Sequence, residues 1–366
     1  MEKIRILHVV PNMQSGGLET LIMNIYRNID RDKIQFDFLV HYKEKKFYDD
    51  EILKLGGKIY RFSLRDDNNI FKYMKELDDF FKKHQEYKIV HCHMASIGAL
   101  VFKIAKKNNI KVRIAHSHNS NTEKTFKGLV KKIMVQPYKY FSTNNFACSM
   151  DAGRFLFKNK PFQIVNNGIN IDKFSYNVKI RNEVRNELGI SKNDYVIGHI
   201  GRFCEQKNHR FLIDVFHKIS NKKAKLLLVG TGELEDEIKT LVKKYKIESR
   251  VLFLGNRNDV EKIYQAMDCF AFPSVFEGLG IVLIEAQASG LKTFCSDNIP
   301  RETQVTDNIE YLKLDENLWV EKIKSNINTK YERKILDKRI LEFDIKSVAK
   351  KMEDDYIKFY NGAENE

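Results

Sequence analysis

Short runs rich in β-branched and apolar residues alternate along this chain with longer amphipathic segments, and the alternation occurs twice. The first series of runs is Ile4–Val10, Phe36–Val40, Lys58–Phe62, Ile89–His93, Val112–His116, Asn145–Cys148 and Gln163–Val165. Helical patterns such as Leu18–Asn28, Ile70–Lys83 and Ala99–Asn108 lie between them. Alternation of this kind predicts βα units around a parallel sheet covered by helices. Asn166-Asn167-Gly168 then interrupts it, because Asn and Gly tolerate the left-handed backbone of a turn. The second series runs Tyr195–Ile200, Lys225–Val229, Val251–Leu254, Cys269–Phe272 and Lys292–Cys295, with helical patterns such as Leu212–Ser220 and Leu234–Lys244. At 366 residues the chain is long for a single core. The expected architecture is therefore α/β, with two Rossmann-like, doubly wound domains, 1–167 and 168–344, facing a central cleft. An amphipathic segment, Ile345–Tyr360, places Val348, Met352 and Ile357 on one face and predicts a C-terminal helix, 345–366, that packs back on the first domain. Ligands of such sheets bind beyond the carboxyl ends of the strands, so the strand-end loops are where chemistry is expected.

Charge narrows the partners. The net charge is +14, which calls for an anionic partner. The first 170 residues hold 30 basic and 17 acidic side chains and the remainder 33 and 32, so the excess belongs to the N-terminal half. No stretch reaches the roughly 20 apolar residues of a membrane-spanning helix, and the apolar run at the start is short for a signal peptide, so a cytoplasmic protein is expected. Five scattered cysteines without a C-x-x-C pair read as buried thiols rather than disulfides or a zinc site.

Three glycine-bearing loops follow predicted strands. Gly16-Gly17 ends the first strand's loop, where a backbone without side chains lets a phosphate approach the N–H groups of the next helix. An ordinary turn explains the same pair equally well. Gly201-Arg202-Phe203 opens the second domain's first loop and leads to Lys207-Asn208. A guanidinium fork and a mobile ammonium placed there suit the two phosphates of a diphosphate, although two cations on a loop are ordinarily just solvated. The richest segment is Phe272 to Ala286, with Glu277, Gly278, Leu279 and Gly280 ahead of a helix and Glu285 inside it. Its amides and carboxylates suit phosphate and sugar oxygens and hydroxyls, whereas a helix-dipole role accounts for Glu277 better than for Glu285.

Histidines concentrate where first-domain strands end: His91 and His93, then His116 and His118, with Asn119 next. Residues two apart on a strand share a face, but no cysteine or carboxylate stands nearby to complete a metal site, so hydrogen bonding to a substrate is the favoured reading. Asp30-Arg31-Asp32 is read as a solvated turn.

In this order and spacing the motifs resemble the retaining glycosyltransferases of family 4, which have the GT-B fold. The resemblance covers nearly the whole chain: the glycine turn, G-R-F-x-E-Q-K-N at 201–208, V-G-x-G at 229–232, V-x-F-L-G at 251–255, and E-x7-E at 277–285. Among them it is most similar to bacterial enzymes of exopolysaccharide and capsule synthesis. The resemblance implies a catalytic set of His118, Glu277, Arg202 and Lys207. In it Arg202 and Lys207 grip the donor diphosphate, with Gly16 and Gly17 closing on it. Glu285 binds the ribose, Glu277 with the amides of Gly278, Leu279 and Gly280 holds the donor sugar, and the base rests near Val251, Leu252 and Leu254, with Gly232 close by. His118 contacts the donor sugar, although His116 could take its place; His93, His116 and Asn119 are assigned to the acceptor side. No metal and no cofactor are implied. The nucleotide-sugar donor is itself the substrate, with UDP the favoured nucleotide.

From Lys103 to Lys160 there are 13 basic residues and two acidic ones, Glu123 and Asp151. Cations interleaved with aromatic residues suit an anionic membrane surface, at ~1 kcal/mol per basic side chain; a packed helix with its lysines in water is the competing explanation. The expected acceptor is a glycan or a lipid-diphosphate-linked saccharide at the inner membrane face. A nucleotide-sugar epimerase of the same fold is the alternative enzyme, and a nucleic-acid-binding protein the weakest reading, since no nucleic-acid module is present. The sequence specifies no oligomeric state.

Overall fold

The computed structural model describes residues 3–14, 16–62, 69–118, 137–329, 332–333 and 337–364. The chain divides into two compact units, Met1–Ile169 with Glu342–Glu366, and Asn170–Leu341. The division falls just beyond the Asn-Asn-Gly turn, and the return to the first unit precedes the helix Ile345–Glu364.

The first unit holds one seven-stranded parallel sheet. Its strands are β1 (Ile4–Val9), β2 (Ile34–Val40), β3 (Ile59–Arg61), β4 (Ile89–Cys92), β5 (Val112–Ser117), β6 (Asn144–Ala147) and β7 (Gln163–Ile164). They lie in the order β3-β2-β1-β4-β5-β6-β7, so the direction of winding reverses between β1 and β4. Period-two alternation sorts each strand's side chains between the faces. On β1, Ile6 joins a core with Tyr26, Phe36, Phe38, Met352 and Tyr356, while Leu7 and Val9 join another with Leu77, Phe81 and Phe102. The helix Ile345–Glu364 is thus anchored on the first unit through Val348, Met352 and Tyr356.

The second unit has six parallel strands: β8 (Tyr195–Ile200), β9 (Ala224–Val229), β10 (Val251–Phe253), β11 (Cys269–Phe272), β12 (Lys292–Ser296) and β13 (Ile309–Leu312). Their order, β10-β9-β8-β11-β12-β13, puts its reversal between β8 and β11. Crevices at such reversals are where doubly wound sheets take ligands. β13 lies outside the sequence reading. It has four residues with a half-buried middle, and it carries Glu310, which masks the alternation of a strand. No helix among the described residues is long and apolar enough to cross a membrane.

Candidate active site

The loops after β8 and β11, adjacent strands at the reversal, are stitched together. Val275 N–H donates to the Gln206 carbonyl at 2.8 Å, and Gln206 Nε2 donates to the Phe276 carbonyl at 2.9 Å. At this junction Lys207 Nζ meets Glu277 Oε1 at 2.6 Å, and Ser274 Oγ donates to the same oxygen at 2.7 Å. The ammonium also sits 4.8 Å from the centre of the Phe272 ring. Lys207 is aimed by its loop: Glu205–Lys207 form a 3-10 turn, and Asn208 follows at φ 55°, a left-handed conformation that Asn tolerates. Ammonium and carboxylate are 17% and 9% exposed, so the pair is largely withdrawn from water. Lys207 has three N–H donors, and therefore keeps capacity for a phosphate oxygen while holding Glu277.

Arg202 behaves differently. It lies in the open, 72% exposed, and its Nη2 reaches Glu233 at 3.0 Å. The V-G-x-G glycines explain how this loop is placed. Gly230, at φ 126°, packs so closely that an added Cβ would lie 2.2 Å from the Gly201 carbonyl oxygen, and one on Gly232 would lie 2.3 Å from that of Phe203. Side chains at either position would push the β8 loop away.

Gly278 is half-buried and Leu279 buried, and Gly280, at φ 85°, precedes the helix Ile281–Ala288, which no side chain caps. Within that helix Glu285 Oε2 accepts from Tyr264 Oη at 2.9 Å. Burial pushes the Glu285 carboxyl up to about 7, with the Tyr264 hydrogen bond opposing the shift. On the other side of β8, Gly230 N–H bonds the Gly255 carbonyl at 2.8 Å and Thr231 Oγ1 bonds Asn256 at 3.2 Å. Leu254 therefore stands at the strand end, level with Val229 and just before the Gly230 turn. Leu252 is half-buried within β10, and Val251 packs in the apolar core beside Leu226, below that level.

In the first unit the loop after β1 reaches Gly16, which is extended at φ −147° and precedes the helix Gly17–Asn28. A Cβ on Gly17 would meet nothing within 4 Å, so the space above it is open. Glu19 in the first turn bends back toward Gly16 and serves the helix N-terminus, an interaction that the sequence reading overlooked.

Five histidines meet at the ends of β1, β4 and β5. Parallel register sets His8 beside His91, and the period of two puts His8, His91, His93 and His116 on the face covered by the C-terminal helix. His8 Nδ1 lies 3.1 Å from His93 Nε2, and His93 Nδ1 lies 2.9 Å from His118 Nε2. Separately, His91 contacts Tyr356 Oη at 2.7 Å and His116 Nδ1 at 3.1 Å. Burial drives all five toward the neutral form: His8 and His118 to about 3, and His91, His93 and His116 well below the ordinary range, helped by neighbouring imidazoles. Two triads, His8–His91–His93 and His93–His116–His118, have ring nitrogens within 4.8 Å of one another, a spacing that metal ligands also show. Asn119 and the middle of the cationic segment, 119–136, lie outside the described residues. Asp32 is solvent-exposed, as a surface turn requires.

The sequence pattern of the Glycosyl transferases group 1 family matches residues 180–343. EpsF of Bacillus subtilis, a protein named as a glycosyltransferase, is 33% identical over 305 residues, covering 81% of this chain and 79% of its own. The chain is a group 1 glycosyltransferase. An Escherichia coli relative of this glycosyltransferase, UDP-Gal:alpha-D-GlcNAc-diphosphoundecaprenol alpha-1,3-galactosyltransferase, is 24% identical over 310 residues, covering 81% of this chain and 80% of its own. In structure it is similar to Anabaena HepE in complex with UDP and glucose, with a TM-score of 0.76 at 16% identity, covering 99% of this chain and 98% of HepE. Its two parallel-sheet units therefore have the GT-B fold. Ser274, Tyr264 and Tyr356 are contacts of this glycosyltransferase that motif spacing could not reveal, because each reaches its partner through the fold.

Proposed function

We propose that this glycosyltransferase is a retaining, metal-independent hexosyltransferase of family 4, which moves a sugar from a UDP-sugar to a saccharide or lipid-diphosphate-linked acceptor in bacterial surface polysaccharide synthesis. The observation that carries the reading is the Lys207–Glu277–Ser274 junction at the β8/β11 reversal, where the diphosphate motif and the sugar motif share one hydrogen-bonded cluster. Lys207 and, after leaving Glu233, Arg202 bind the diphosphate and stabilise the charge that grows on it as the anomeric C–O bond breaks. Gly16 and Gly17 approach the same phosphates, Glu285 binds the ribose, and the base lies toward Leu254 and Gly232. Glu277, with the backbone of Gly278, Leu279 and Gly280, binds sugar hydroxyls, and His118 contacts the donor sugar. With Oε1 already accepting from Lys207 and Ser274, Glu277 is a poor nucleophile, which supports same-face attack assisted by the departing phosphate over a covalent double displacement.

A basic groove in the first unit supports a membrane-borne acceptor. It encloses about 620 Å³, and Met74, Ile104 and Phe141 supply apolar walls. Lys75, Lys103 and Lys106 line it without an ion-pair partner among the described residues. Purified protein incubated with a panel of UDP- and GDP-sugars, lipid-diphosphate-linked acceptors and a chelator should yield an α-linked product from a UDP-sugar. Inversion at the anomeric carbon, loss of turnover on chelation, or covalent labelling of Glu277 by the donor would each refute the corresponding part. Liposome binding indifferent to anionic lipid would remove the membrane.

A further inference from the structure

His118 ends a string of three imidazoles, and hydrogen counting along the string fixes which of its nitrogens carries a proton. Neutral His8, His93 and His118 bring three N–H hydrogens, one each. Two are consumed by the contacts His8 Nδ1···His93 Nε2 at 3.1 Å and His93 Nδ1···His118 Nε2 at 2.9 Å. The third must sit at one end. At the inner end is His8 Nε2, buried and without a hydrogen-bond partner, on a residue only 2% exposed beneath the Phe36 and Phe38 rings. The outer end is Nδ1 of the half-buried His118, which has no partner among the described residues and is not sealed from solvent. An orphaned buried N–H is tolerated less well than an orphaned acceptor, so the third hydrogen belongs outside. The other string, Tyr356–His91–His116, ends in buried atoms and does not reach this nitrogen.

We infer that His93 is a positioning residue that locks His118 as its Nδ1–H tautomer, so that it presents a fixed donor to an oxygen lone pair. The lone pair on Nε2 is held by His93 and is withdrawn from base chemistry. Burial keeps the string neutral, which preserves the count. A solvated imidazole prefers Nε2–H, so this tautomer is a signature that water alone would not produce. The identity of the oxygen, a sugar hydroxyl or a phosphate, rests on the proposed function; the tautomer does not.

Long-range 1H–15N spectra of 15N-histidine-labelled protein without substrate, assigned with His118→Gln, test it. Wild type should show the Nδ1–H pattern at His118. His8→Phe, which leaves the His93–His118 contact intact, should keep it, and His93→Phe or His93→Leu should restore Nε2–H. If those His93 variants do not fold, the wild-type spectrum still decides. An Nε2–H pattern at His118 in wild type, no change on removing His93, or zinc retained at one ion per chain would overturn the inference. In the transfer reaction, His118→Asn, whose amide N–H stands near the former Nδ1–H, should keep on the order of tenfold more turnover than His118→Gln. Equal loss in both would also count against it, while absence of any turnover in wild type would touch only the proposed function.

Discussion

Replacing Glu285 with Gln isolates one carboxyl whose burial sets an expected pH dependence of folding. The carboxyl moves from an ordinary 4.5 to about 7 in the folded chain. Between those values the folded state holds a proton that the unfolded state has released, so stability falls as pH rises through the window and levels off above 7. A shift of about 2.5 units at 1.36 kcal/mol per unit gives at most about 3.4 kcal/mol, and the partial exposure of Glu285 lowers the expectation to about 2–3 kcal/mol. Trp319 is the sole tryptophan and is fully buried in the second unit's core, so its fluorescence follows the unit that contains Glu285. Urea unfolding of wild type and Glu285→Gln at pH 5 and pH 8 should show wild type losing that much more than the variant. The subtraction cancels other titrating groups if their interactions are unchanged. Parallel losses in the two proteins would refute the argument, and a wild type that gains stability toward pH 8 relative to Glu285→Gln would reverse its sign.

Arg202→Ala should change stability by less than about 1 kcal/mol, because the Glu233 pair is exposed. Lys207→Ala should remove about 3 kcal/mol by leaving the largely buried Glu277 carboxylate without its ammonium, with Ser274 still donating to it. Each should reduce donor turnover by roughly 10- to 100-fold, in line with a lost charge-assisted hydrogen bond of about 1.5–3 kcal/mol; full turnover in either removes that side chain from the diphosphate. Gly17→Ala has room for its methyl and should stabilise the helix by up to about 1 kcal/mol while lowering kcat/KM for the donor; unchanged kinetics would leave Gly17 as a turn residue. Gly232→Ala should destabilise the second unit by about 1–3 kcal/mol through its collision with the Phe203 carbonyl, measurable in the same Trp319 unfolding curves.

Local periodicity carried most of the fold. Alternation on β1 sorts Ile6 from Leu7 and Val9, and the amphipathic face of 345–364 puts Val348 and Met352 on the core, so both are readable from spacing alone. β13 is not, because four residues with Glu310 among them have no pattern to count. The candidate site was legible only as separate motifs. Spacing singles out Lys207 and Glu277, but their ion pair joins positions 70 residues apart and depends on β8 and β11 being neighbours, which is a property of strand order. The histidines show the same limit. Their shared face follows from parity, whereas the contacts among His8, His93 and His118 require the register of three strands, and His8 escaped notice because it lies within an apolar run.

That ion pair bears directly on how the proposed donor could be held. A bare carboxylate beside a diphosphate would repel it. Here the Glu277 charge is offset at Oε1 by one ammonium and one hydroxyl, so the junction is nearly neutral before a ligand arrives. A diphosphate bound as proposed would draw on the remaining Lys207 donors and on the exposed Arg202, whose only described carboxylate partner is the surface residue Glu233. The two cations thus divide the work by burial. In the proposed function Lys207, fixed by its pair, would set the position of the phosphate, and the exposed Arg202 would swing in to supply charge once the donor is present.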